Sequence, residues 1–332
     1  MQFSLRQTIP TDGIWHVMVY DQSPKQYLFC SSADATYRGL YVYEYDGATA
    51  TAITDHVVVG RAFYWSATDG TYIYGGTNEG LAAYSFDGTN LTQIVLQQEV
   101  VGATIRGVWC DNGFIYIASG GAAGALGVRV YTFNGTAFTL VSTVVGLASS
   151  AYSVFGDGTY IYAAVASAGL SAFSFDGTTL ALVDTIDDGG LAGGVVAGGG
   201  YIYLANRDDL RAYTFDGTTL VNVGVVDNGA APNYQGVAYG DNLIFAGNST
   251  EGFEVYTFDG TTFTLVGFVV GGPRWVTPGG EYQNGNLLFS ANAGASISVY
   301  NAIPEFRGSF SVSPTSGPAP LAVKFTDQVE IF

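Results

Sequence analysis

Leu210-Arg-Ala-Tyr-Thr-Phe-Asp-Gly-Thr-Thr-Leu220 alternates side-chain character with period two up to Phe215, breaks at Asp216-Gly217, and resumes with two threonines and a leucine. Aromatic and β-branched residues in period-two alternation read as strand, and Asp-Gly is the dipeptide that best tolerates the positive φ values of a two-residue hairpin turn. The stretch is therefore strand, tight turn, strand. It recurs almost unchanged as Gly169-Leu-Ser-Ala-Phe-Ser-Phe-Asp-Gly-Thr-Thr-Leu180 and Phe253-Glu-Val-Tyr-Thr-Phe-Asp-Gly-Thr-Thr-Phe263, and Asp46-Gly47, Asp87-Gly88 and Asn134-Gly135 continue the series.

The aromatic anchor of the motif falls at Tyr43, Tyr84, Tyr131, Phe173, Tyr213, Tyr256 and Tyr300, with gaps of 41, 47, 42, 40, 43 and 44 residues. Before each lies a second strand, anchored at Phe29, Tyr74, Tyr116, Tyr162, Tyr203, Phe245 and Phe289. Turn residues such as Asp69-Gly70, Asp157-Gly158 and Gly198-Gly-Gly200 join most of these to a preceding strand. Four antiparallel strands over roughly 40 to 45 residues make a β-propeller blade, which cannot bury its apolar face alone. Seven repeats predict an all-β, seven-bladed propeller over residues 1–303. Phe3-Ser-Leu-Arg-Gln-Thr-Ile9 reads like the outer strand Phe138-Thr-Leu-Val-Ser-Thr-Val144, and the seventh repeat lacks its own fourth strand after Tyr300. The N-terminal strand is thus expected to complete the last blade and close the ring, removing two bare sheet edges.

On the Phe-Asp-Gly-Thr-Thr turn and the repeat length, residues 2–302 resemble the seven-bladed propellers with lactonase-like or quinoprotein-like repeats of bacterial and archaeal secreted proteins. The Gly-His and Trp-Asp pairs of WD40 repeats are missing. Residues 304–332 form a separate tail in which Phe310-Ser-Val-Ser-Pro-Thr-Ser-Gly-Pro-Ala-Pro-Leu-Ala-Val-Lys-Phe-Thr-Asp327 resembles the opening of a PKD domain, an immunoglobulin-like sandwich of extracellular and virion surfaces. Only its first two strands are present. Such a remnant is marginal alone, so the tail is expected to dock on the propeller or on another subunit. The chain starts directly in strand with no hydrophobic export segment. With the PKD resemblance, this points to an extracellular, cell-surface or virion setting.

The net charge of −17, from 28 acidic against 11 basic residues, opposes binding to nucleic acid or to anionic membrane surfaces. No apolar run approaches the roughly 20 residues of a membrane helix. No cofactor is expected. Calcium held by the turn aspartates is the alternative, although no Asp-x-Asp-x-Asp-Gly loop is present. Cys30 and Cys110 lie a whole repeat apart, beyond disulfide reach, and are expected to be free thiols.

Catalytic constellations are thin. His16 and His56 are the sole histidines, too few for a His-based metal cluster and poorly placed for a triad. Gly247-Asn-Ser-Thr-Glu251 lacks the second glycine of a nucleophile elbow, and no helix follows the glycine-rich run at 120–127 to hold a phosphate. Propeller ligands sit at the axial channel. Aligning the repeats brings His16, Tyr64, Arg106, Tyr152, Gly193, Gln235 and Trp275 to its mouth, with Arg61 and Arg274 on adjoining connections. Arginine and aromatic groups in a concave site suit a carboxylate or a sugar. The alternative is that they plug the channel with satisfied hydrogen bonds. Loop residues Asp34, Tyr37, Arg38, Asn78, Glu79, Arg207–Asp209 and 248–251 offer a second recognition surface. The expectation is a non-enzymatic binding or structural propeller that recognises a protein or glycan, with the tail as a subunit contact. The alternative is a hydrolase of lactonase or glycosidase type at the channel mouth.

Overall fold

The computed structural model describes residues 2–303, except 11–13, 23–24, 35–37, 47–48, 99–101, 122–126, 228–232, 249–251, 271–272, 282–285 and 293–295; further on it describes only the strands Ser311–Ser313 and Lys324–Thr326. Side chains are described from 14 to 268, outside those gaps. Tyr37, residues 249–251 and most of the PKD-like segment thus lie outside the described residues. Of the tail, one antiparallel pairing is described, Val312 opposite Phe325.

The architecture is all-β, a propeller of four-stranded antiparallel blades, and no helix occurs among the described residues. Among the described residues there is thus no helix long and apolar enough to cross a membrane. The first blade takes strands Ile14–Gln22, Lys25–Ser32, Gly39–Tyr45 and Ala50–His56. Five further sheets repeat this plan with consecutive strands over 63–98, 103–145, 153–186, 192–226 and 234–270. One more four-stranded sheet is built from both ends of the chain: Pro273–Glu281, Asn286–Asn292 and Ser296–Ile303 are joined at the outer edge by Gln2–Pro10. Its inner strand touches the inner strands of the first blade and of the blade at 234–270. Gln2 pairs with Ile303 and Pro10 with Ser296, and a bulge leaves Arg6 without an opposite residue. The outer strands of the other blades carry the same bulge at Ile53, Ile94, Val141, Val183, Val223 and Val266. The N-terminal strand therefore has the register of a fourth strand.

The Asp-Gly turn works differently from the expectation of two positive φ values. In Phe215-Asp-Gly-Thr-Thr-Leu220 the ladder closes at Phe215 opposite Leu220, and only Gly217 is left-handed, at φ +95°. Asp216 is selected by its carboxylate. Oδ1 accepts the Thr218 and Thr219 N–H groups at 2.8 and 2.7 Å and the Thr218 hydroxyl at 2.7 Å. Those bonds hold the Asp216 carboxyl below the usual carboxylate range, the Thr218 hydroxyl foremost.

The same turn docks the neighbouring blade. In five blades the ring near the start of the second strand stands edge-on to the phenylalanine of the next Phe-Asp-Gly or Phe-Asn-Gly turn: Tyr27 to Phe86, Tyr72 to Phe133, Phe114 to Phe175, Tyr160 to Phe215 and Tyr201 to Phe258. Their centroids are 4.8, 5.0, 4.9, 4.9 and 5.0 Å apart. The tyrosine hydroxyl then reaches over the turn glycine, so that a Cβ on Gly135, Gly217 or Gly260 would lie 2.8, 2.6 or 2.7 Å from it. Where the ring is Phe114, the space above Gly177 is open. Both cysteines are free; Cys30 is buried and Cys110 half-buried.

Two outcomes test this account. Gly217→Ala and Gly177→Ala should both suffer from the left-handed φ, by about 1 kcal/mol, but only the former also meets a hydroxyl. Gly217→Ala should thus cost about 1 kcal/mol more in urea unfolding, and Tyr160→Phe in the same chain should recover that excess; additive effects would refute the contact. Deleting residues 2–10 should lower the melting temperature sharply, by several kcal/mol of stability, because it bares a strand edge. A melt within a degree of the intact chain would refute closure by this strand.

Candidate ligand site at the channel mouth

One backbone device recurs where each inner strand begins. In the first blade Ile14 pairs with Ser32 and His16 with Ser31, which leaves Trp15 as a bulge. The equivalent bulges fall on Tyr64, Arg106, Gly193, Gln235 and Arg274. In the remaining blade Tyr152 precedes its inner strand and donates its N–H to Ala164 O at 2.9 Å. A bulged residue is released from the pleat and can be re-aimed. Trp15, Tyr64, Arg106, Tyr152, Gly193 and Gln235 all line one cavity of about 260 Å³, together with Trp65, Leu191, Arg207 and Tyr234.

At its centre the Arg106 guanidinium carbon lies 5.3 Å from the Tyr64 ring centroid and 4.8 Å from that of Tyr152. Trp15 meets Tyr64 edge-on at 5.4 Å. Two electron-rich faces hold the cation by cation–π attraction without neutralising it. Arg106 Nε is buried and has no hydrogen-bond partner. Among the described residues no carboxylate lines this cavity, and neither Arg106 nor Arg207 is ion-paired. In a chain of net charge −17 the mouth is locally cationic.

The structure brings together Tyr64, Arg106, Tyr152, Gly193 and Gln235 of the residues singled out from the sequence. It sets others elsewhere. His16 is one residue past the bulge, and that residue flips its side chain into the axial cavity below, also lined by Val17, Val108, Val195 and Val237. There it stacks on Trp65 at 4.0 Å, and its Nδ1 accepts from the Ser66 N–H at 3.4 Å. Burial pushes its pKa down to about 3, so the imidazole is neutral. In the last sheet the bulge falls on Arg274, with Trp275 back in register; the side chains of both lie outside the described residues. Arg61 is buried and committed, with Nε and Nη2 each 2.9 Å from Glu79 Oε2 and Nη1 2.7 Å from Gln93 Oε1. It ties the connection that enters the second blade to that blade and does not line the mouth cavity.

Sequence reasoning missed Trp15, Trp65, Leu191 and Tyr234, and set Arg207 on a separate loop surface rather than at the mouth. Trp15 was concealed by the longer first hairpin of its blade: Phe29 pairs with Met18, eleven residues back, whereas Tyr74 and Tyr116 pair with Ala67 and Trp109, seven back, so a count from second-strand anchors misplaces the bulge there. Arg207 reads as a solvated loop residue until the Leu191 and Tyr234 backbones are seen bonded to its own, at 3.0 and 3.3 Å. Among the described residues no three histidine, cysteine or acidic side chains converge on a point that could hold a metal ion. Against known proteins, the chain matches no protein-family model, and no curated protein matches it.

His16 makes the fold pH-sensitive in a defined window. An unfolded histidine titrates near about 6.5, whereas the folded one resists protonation down to about 3. Below pH 6.5 the unfolded chain therefore binds a proton that the folded chain does not. Stability is full above that pH and falls as pH drops, by at most about 1.4 kcal/mol per pH unit. His16→Gln should flatten the melting temperature between pH 7.5 and pH 5. The slope that remains belongs to His56, lowered by its own burial and by Arg61. Equal slopes in the two proteins would refute the assignment.

Proposed function

We propose that the chain is a non-enzymatic binding propeller of a cell surface or virion, counting the composite sheet as its seventh blade. Its channel mouth takes the acidic group of a glycan. One observation carries this reading: a guanidinium clamped between Tyr64 and Tyr152, its Nε buried and unbonded, in a cavity whose described lining holds no acid. A carboxylate would complete a charge-assisted pair there, and the aromatic walls suit the apolar face of a sugar ring. The resemblance of the repeats to secreted propellers and of the tail to PKD domains supports the setting. A hydrolase at this mouth would need a nucleophile or an acid–base pair. The described lining offers no carboxylate, and the His16–Ser66 contact is buried beside Trp65.

Titration calorimetry with a glucuronate-terminated oligosaccharide and its glucose-terminated analogue tests the reading. The acidic ligand should bind and the neutral one bind far more weakly. Arg106→Gln should cost roughly ten- to hundredfold in affinity, as a lost charge-assisted hydrogen bond would, with the melting temperature little changed. Equal binding of the two sugars, or an unaffected Arg106→Gln variant, would overturn it.

A further inference from the structure

The mouth cavity is lopsided, and its open side carries a second free cation. Four bulge positions bear Trp15, Tyr64, Arg106 and Gln235, and Tyr152 takes the equivalent place ahead of its strand, but the blade at 192–226 presents Gly193. A larger residue has no room there: a Cβ on Gly193 would lie 2.8 Å from the carbonyl oxygen of Gln235. The approach of two inner strands thus removes one side chain from the ring. Arg207 lines the cavity beside that gap.

Its backbone is tied on both sides, donating to Leu191 O at 3.0 Å and accepting from Tyr234 N–H at 3.3 Å, which links two adjacent blades. The side chain is exposed and unpaired. Of the two acids that follow it, Asp209 is committed to Arg211 and Asn206 at 2.7 and 3.0 Å, and Asp208 does not line the cavity. A fixed Cα with a free guanidinium is suited to meet a bound anion at low ordering cost. Arg106 and Arg207 come from different blades, so no single anionic group on the Tyr64–Tyr152 side need satisfy both.

We propose that the mouth selects a dianionic sugar, with a carboxylate at Arg106 and a second anionic substituent, such as a sulfate, reaching across Gly193 to Arg207. This rests on the reading of Arg106 given above, and Arg207 is its specificity-determining residue.

The test measures the full chain against a glucuronide and a panel of its positional mono-sulfates, at low ionic strength, by calorimetry. At least one sulfated isomer should bind about five- to tenfold more tightly than the glucuronide, the modest gain expected of an exposed arginine. Arg207→Gln should abolish that preference while leaving glucuronide affinity intact; Arg106→Gln should weaken every member. If the glucuronide binds and no sulfate improves it, or if Arg207→Gln retains the preference, the dianion inference is overturned and the Arg106 reading stands. If no member binds, both are overturned.

Discussion

Five of the described contacts between neighbouring blades share one arrangement: an aromatic ring near the start of a second strand standing edge-on to the phenylalanine of the next blade's Phe-Asp-Gly or Phe-Asn-Gly turn. Such pairs contribute about 0.5 to 1.5 kcal/mol beyond the area they bury, and their geometry fixes an angle as well as a distance. Five of them repeat within 0.2 Å, from 4.8 to 5.0 Å. A constant step between blades is what lets the ring return to its start. The turn glycine belongs to the same device, because the hydroxyl of the neighbour occupies the space its side chain would need.

With the blades stepped around an axis by those pairs, the inner strands converge, and the bulge at the head of each turns one side chain toward the opening. On the proposed reading, the scaffold thereby uncouples recognition from stability. The aromatic pairs sit between blades, at other residues than those of the mouth, so the residues at the head of each inner strand are free to differ: tryptophan, tyrosine, arginine, tyrosine, glycine and glutamine. Recognition residues carried on a rigid frame cost little to order on binding. The positive mouth in an acidic chain also focuses attraction for anions, while the rest of the surface repels them.

Buried polar groups of the interior follow a different logic. Glu254 is buried and accepts hydrogen bonds from the hydroxyls of Tyr234 and Tyr256. Those bonds and burial push the Tyr234 phenol well above its usual range, burial most. Arg61 is held by Glu79 and Gln93, and Arg211 by Asp209. Each charge is matched where it lies, which a buried ion requires. Arg106, at the mouth, has no such match among the described residues.

Local patterning determined the strands, the turns, the repeat and the N-terminal strand as a fourth-strand copy, because period-two alternation and Asp-Gly chemistry act over a few residues and survive in any environment. Tyr64, Arg106, Tyr152 and Gln235 were legible as mouth residues for the same reason: equal position in equal repeats gives equal place in the ring. Only the tertiary structure decided that Trp15 rather than His16 faces the opening, since the longer first hairpin of that blade shifts the count along the chain, and the strand pairing alone shows which residue is the bulge and which follows it to the other face. It also decided that Arg61 spends its charge on Glu79 and Gln93 whereas Arg207 keeps its own, because pairing depends on which loops the blades bring together. No distance along the chain encodes that.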